Sequence, residues 1–183
     1  MAHIALEKGV PGIVSAFGFR PETAKPMREL AEILLRGPNS LTSAEREAIA
    51  AFVSNGNECR FCQLSHSAAA AEHRGGCEAD YKWIEEVKAN PDAADVSPKL
   101  RALLLIADKV REGGKKVTTA DIASARKQGA TDTEIHDTVL IAAAFSMYNR
   151  YVDGLATFQP EGMAAYKPMG KRMANEGYAQ RQA

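Results

Sequence analysis

The chain has 183 residues, 45% hydrophobic and 25% charged, an ordinary globular composition with length enough to bury a sizeable core. Its 23 basic and 23 acidic side chains cancel, so no net field draws it to nucleic acid or to an anionic membrane. Three cysteines are too few, and odd in number, for a secreted disulfide scaffold, so a reducing cytoplasm is expected; the N-terminus lacks the pattern of a signal peptide, and no stretch approaches a membrane span.

Residues 1–9, His3 among them, read as a loose arm. Pro11 suits the start of a short apolar helix over residues 12–19, whose Ile13, Val14, Phe17 and Phe19 must cover the core or a partner chain. Pro21 opens a second helix with Met27, Leu30, Ile33 and Leu34 at helical spacing, and Gly37-Pro38 ends it. Pro26, one turn in, is expected to push the true start later. Thr42 and Glu45 spell a capping box for a helix burying Ala48, Ile49, Phe52 and Val53. Asn55-Gly56 stops it and Asn57 is expected to cap the next, which runs through four consecutive alanines to Gly75-Gly76.

A helix over residues 79–89 follows, with Tyr81, Trp83, Ile84 and Val87 as apolar positions. Ser97 caps another, with Pro98 in its first position. Its Leu100, Leu103, Leu104 and Ile106 make it apolar nearly all round, as a central helix of a bundle would be, and Gly113-Gly114 ends it. Thr118 or Thr119 starts a short helix to Gln128, and Thr131 with Glu134 boxes the start of a long one reaching about Thr157. Residues 161–183 are charged, with room for one short helix interrupted by Pro168. They read as a peripheral arm or as a contact with a neighbouring subunit. No useful β-alternation occurs. The expectation is an all-α bundle of about seven or eight helices, one domain over residues 1–183, with 1–9 and 161–183 as peripheral arms.

The chemistry concentrates at a Cys-x-x-Cys pair, Cys59 and Cys62, with His66 four residues on and Glu47 on the preceding helix. At about 100° per residue, Cys62 and His66 lie within about 60° of Cys59, on one stripe. A helix N-terminus favours thiolate, an imidazole one turn on can take the thiol proton, and a carboxylate can orient that imidazole. Glu47 lies about 160° round the helix from Ile49, near Ala51, so it must face a second packing surface or water. Other readings stand beside this one. Structural zinc could take Cys59, Cys62 and His66, with Cys77 or His73 as a fourth ligand, or both cysteines could be inert packing groups. Haem attachment is excluded, because Gln63 and not histidine follows the second cysteine. Cys77 reads as a structural thiol and His136 as a surface histidine; Tyr148, Asn149 and Arg150, polar groups in an apolar helix, could line the site or bridge subunits, and read first as a hydrogen-bonded interface.

The pattern Glu-x11-Cys-x-x-Cys-x-x-x-His resembles the active-site motif of the alkylhydroperoxidase D-like, peroxidase-related branch of the carboxymuconolactone decarboxylase family, matched at Glu47, Cys59, Cys62 and His66. The run from Ile141 to Thr157 is similar as well, and as a pattern of helices the likeness covers about residues 20–160. The better-known pattern has a histidine just before the second cysteine; here Phe61 stands there, so a relay through that histidine is not available. The resemblance implies a thiol-dependent peroxidase that reduces hydroperoxides, a homo-oligomer, and a dithiol reductant, either a small molecule or a lipoylated protein. Cys62 is expected to attack and Cys59, expected to be the more exposed, to resolve, with His66 and Glu47 activating, the reverse order of the two cysteines staying open; no metal, haem or flavin is required. A lactone decarboxylase of the same family and a zinc-stabilised helical module are the alternatives.

Overall fold

Thr42, Thr118 and Thr131 each accept a bond from the backbone N–H three residues on, and Glu45, Asp121 and Glu134 reach back to the cap N–H. Three helix starts are thereby satisfied reciprocally. In a computed structural model that describes residues 1–179, the helices are α1 Ile13–Phe19, α2 Pro21–Arg36, α3 Ser43–Gly56, α4 Arg60–Arg74, α5 Glu78–Ala89, α6 Pro98–Glu112, α7 Thr119–Lys127, α8 Asp132–Gly154 and α9 Lys167–Glu176. Short 3-10 turns occupy Gly114–Lys116 and Met163–Ala165, and no strand occurs among the described residues. The fold is all-α. The starts of α2 and α5 differ from expectation. Helix α2 begins at Pro21 and carries Pro26 inside it. Helix α5 begins one residue early because the Asp80 carboxylate accepts from both the backbone N–H and the thiol of Cys77, at 3.0 Å each.

Helices α3 and α4, joined by residues 57–59, pack side by side along their length, and α4 is also flanked by α5 and α9. That explains why Ala68, Ala69, Ala70 and Ala71, on all sides of α4, are each fully buried. Helices can close on it from several directions only because each side chain there is a single methyl group. The larger core lies on the other side of α3, where Ile49 and Val53 meet Leu103, Leu104 and Ile106 of α6 and Ile141, Ala142 and Phe145 of α8. Helix α6 is not enclosed all round: Leu105 stays 50% exposed.

The C-terminal segment is not a peripheral arm. Tyr166 is fully buried, Met173 nearly so, and Arg36 of α2 donates to the carbonyls of Met173 (3.2 Å) and Ala174 (2.5 Å), tying α9 to α2. Burying each of those two side chains is worth about 1.5–3 kcal/mol. Residues 180–183 of the expected arm lie outside the described residues. His3 is not loose either: its N–H donates to the carbonyl of Leu155 at 3.0 Å, laying the N-terminal segment along the end of α8. Among the described residues no helix is long and apolar enough to cross a membrane.

Candidate active site

The turn between α3 and α4 sets the cysteines. Asn57 closes α3, Glu58 adopts a left-handed φ of 60°, and the Cys59 N–H bonds back to the Ser54 carbonyl at 3.0 Å. Cys59 therefore occupies the N-cap of α4 in an extended conformation, and Asn57 does not cap that helix. The expected helical stripe holds for Cys62 and His66, while Cys59 is placed by the turn. Asn57 instead donates to Asn149 Oδ1 at 2.9 Å, and Asn149, 1% exposed, donates to Ser54 Oγ at 3.0 Å. The polar group in α8 thus pins the turn that carries Cys59. Of its neighbours, Tyr148 donates to the Met27 carbonyl at 3.0 Å and Arg150 is exposed.

Glu47 projects from the face of α3 that meets α4 and is fully buried. This is the second packing surface that its wheel position near Ala51 allowed. Its Oε2 lies 2.7 Å from His66 Nδ1, and its Oε1 accepts from the hydroxyl of Tyr178, just beyond α9. Each oxygen of a buried carboxylate therefore has a donor, the condition under which such a group remains ionised at tolerable cost. With Nδ1–H given to Glu47, Nε2 of His66 carries the free lone pair. The ring is held edge-on by Phe145 at 4.5 Å between centroids and lies nearly parallel to the Tyr178 ring at 6.0 Å. Burial and the Glu47 charge push the Tyr178 phenol well above its ordinary value, so it stays a donor.

Cys62 and His66 border one cavity of about 90 Å³, walled by Ile13, Val14 and Phe17 of α1, Phe61 of α4, Phe145 of α8 and Met169 of α9. Ile13, Val14 and Phe17 of α1 thus cover the site, whereas Phe19, expected to be covered with them, stays 57% exposed. Phe61, standing at the relay-histidine position, is an apolar wall packed on the Tyr166 ring at 5.9 Å. Cys59 does not border this cavity and is fully buried, against 3% exposure for Cys62, so the expectation that Cys59 is the more exposed sulfur is corrected. The reason is its cap position, which turns the side chain under the loop. The Cys59 thiol is pushed up, first by its hydrogen bond to Cys62 and then by burial.

The structure brings together Glu47, Cys59, Cys62 and His66. It leaves Cys77 apart, exposed and bonded to Asp80, and His136 on the surface beside Asp137. The ligand set of a zinc site does not form: among the described residues, no three His, Cys, Asp or Glu side chains converge on a common point. Tyr178 is the site residue that sequence reasoning missed. Its one signal was a Gly-Tyr pair in a charged tail, which carries no address.

The model of the carboxymuconolactone decarboxylase family matches residues 21–109, from the start of α2 into α6, and so takes in Glu47, Cys59, Cys62 and His66. Over that stretch the chain is similar to this family. Two solved structures that the chain resembles carry peroxidase-related names. One is an alkylhydroperoxidase AhpD core, a peroxidase-related protein from Ralstonia eutropha JMP134, 26% identical over 88% of this chain and 82% of that one, with a TM-score of 0.76. The other is a peroxidase-related protein from Silicibacter sp. TM1040, 28% identical over 86% and 79% of the two chains, with a TM-score of 0.75. A protein of unknown function from Agrobacterium tumefaciens, 21% identical over 82% of this chain and 99% of its own, shares the fold with a TM-score of 0.68. No protein of curated function matches the chain.

Proposed function

We propose that this chain is a thiol-dependent peroxidase that reduces small organic hydroperoxides through a Cys59–Cys62 dithiol–disulfide cycle. The observation that carries the reading is that Cys62 and His66 share one apolar cavity while Cys59 lies beside Cys62 outside it. Cys62 sits in the first turn of α4, where the helix dipole favours negative charge. His66 Nε2 takes its proton, and Glu47 stabilises the imidazolium through Nδ1. The thiolate attacks the terminal peroxide oxygen, the O–O bond breaks, and the alkoxide leaves as an alcohol on taking the His66 proton. Cys62 is then a sulfenic acid. The Cys59 sulfur displaces its hydroxyl as water, closing the disulfide. A dithiol reductant attacks Cys62, releases Cys59, and closes its own disulfide to release Cys62. That Cys59 is held as a thiol, donating to Cys62, supports Cys62 as the attacking sulfur. The cavity is smaller than the ~150 Å³ that holds benzene, so it admits the peroxide group and a few carbons.

Trypsin cuts after Arg60, which puts Cys59 and Cys62 in different peptides, so the disulfide appears as a peptide cross-link. With tert-butyl hydroperoxide as substrate and dihydrolipoamide as reductant, Cys62→Ser is expected to abolish turnover. Cys59→Ser is expected to allow one oxidation to the sulfenic acid without recycling. Full turnover by Cys62→Ser, or no cross-link in the oxidised parent protein, would overturn the reading.

A further inference from the structure

The peroxidase reading leaves Tyr178 without a role, yet the chain is built to deliver it. Helix α9 ends at Glu176, and Gly177, at φ 78°, turns the chain inward where an added Cβ would strike the Glu32 carboxylate at 2.4 Å. The Tyr178 N–H then donates to Glu32 Oε2 at 2.6 Å. From that anchor the side chain reaches across α4 to α3. Its hydroxyl bonds Glu47 Oε1 and lies 3.4 Å from His66 Nδ1, so the phenol and the imidazole sit side by side as donors to one carboxylate.

We infer that Tyr178 is a positioning residue: by donating to Glu47 Oε1 it keeps that carboxylate ionised and so holds His66 with Nδ1 protonated and Nε2 free to take the Cys62 proton. The inference rests on the thiol-peroxidase reading. A bare carboxylate oxygen in this buried place would favour uptake of a proton by Glu47. Glu47 would then donate to Nδ1, move the imidazole proton to Nε2, and leave Cys62 facing a donor instead of a base. Other charged and titratable groups surround the carboxylate. Glu32 and Arg36 of α2 pair with each other at 3.2 Å, and Arg46 of α3 donates to the Leu34 and Gly37 carbonyls. His73 of α4 is a half-buried neutral imidazole, its pKa held down by burial. On the cavity side the facing groups are Arg28 of α2, Arg172 of α9 and the Tyr148 phenol of α8, which burial pushes up to about 12. The phenol of Tyr178 also supplies, from a different element, a polar group in a site whose relay-histidine position holds Phe61.

The test is the pH profile of Cys62 alkylation by iodoacetamide, read on the peptide that begins at Phe61, alongside thermal unfolding. Tyr178→Phe keeps the ring and removes the hydroxyl. Its profile is expected to move about one unit to higher pH, a tenfold slower alkylation at a fixed pH below the midpoint. In a Glu47→Gln background, where there is no carboxylate to keep ionised, the same substitution is expected to add no further displacement. A purely packing role would lower the melting temperature and leave the profile in place. A parent-like profile in Tyr178→Phe, with a displaced one in His66→Ala, overturns the role of Tyr178 alone; a parent-like profile in His66→Ala overturns the peroxidase reading and this inference with it. The imidazole ¹⁵N spectrum of the unmodified protein is a second check that needs no variant: Nδ1 protonated with Nε2 free is expected, and the opposite tautomer overturns the inference.

Discussion

Gly170→Ala tests the packing that delivers the C-terminal segment to the site. Gly170 lies in α9 directly against α4, and a Cβ there would stand 2.4 Å from the Ala68 Cβ, 2.5 Å from the Ala68 carbonyl carbon and 2.8 Å from the Ala69 nitrogen. Two effects of opposite sign compete. Alanine is the better helix former by about 1 kcal/mol, which favours the variant. Overpacking a tight contact costs about 1–3 kcal/mol, and the upper end applies here because two of the three struck atoms are backbone and cannot rotate away. The net expectation is a loss of about 1–2 kcal/mol, which lowers the melting temperature by about 2–8 °C in a chain of this size. Relief requires α9 to lift from α4, so Tyr178 retreats from Glu47 and the Cys62 alkylation profile moves with the stability. Gly154→Ala is the control, since that helical glycine has nothing within 4 Å of the added carbon. Thermal melts of both variants with alkylation of Cys62 make the assay. A Gly170→Ala protein stabilised as much as Gly154→Ala would refute the close approach of α9 to α4.

Two further outcomes are expected. The folded chain holds His73 below its ordinary value of 6.5 by burial, and its Nε2 is buried without a partner. Below about pH 6.5 the unfolded chain binds a proton that the folded chain resists, so stability falls as pH drops through that value. His73→Leu should flatten the slope of urea midpoint against pH between 7 and 5; an unchanged slope would locate the acid sensitivity elsewhere. Asn149→Ala strips partners from Ser54 and Asn57 at the turn that carries Cys59, and should cost about 1–3 kcal/mol in urea unfolding. A loss below about 0.5 kcal/mol would show that the turn stands without it.

The helix starts were legible because their signals are local. A threonine and an acidic residue three positions apart specify a cap whatever surrounds them, and the boxes at Thr42 and Thr131 formed as spelled. The grouping of Glu47, Cys62 and His66 was legible for a related reason: two of the three share one helix turn and the third lies on the helix just before. Cys59 was harder. Its spacing suits a helical stripe, but the left-handed residue Glu58 and the bond from Cys59 to Ser54 stop α4 from starting before Arg60. The sulfur expected to be open was placed under the turn instead.

By itself the sequence determined the all-α class, the ends of most helices, and a thiol, Cys62, one turn from an imidazole. These follow from interactions spanning three or four residues, whose energies depend little on the rest of the chain. The tertiary structure decided which faces are shared. It showed that the alanines of α4 serve close approach as well as helix propensity, and that Glu47 is enclosed. It also showed that a tail resembling a free arm returns to place Tyr178 beside a histidine 112 positions earlier. No local signal carries that pairing, because it depends on a glycine of α9 meeting the alanines of α4, and small residues mark a close contact without naming the partner.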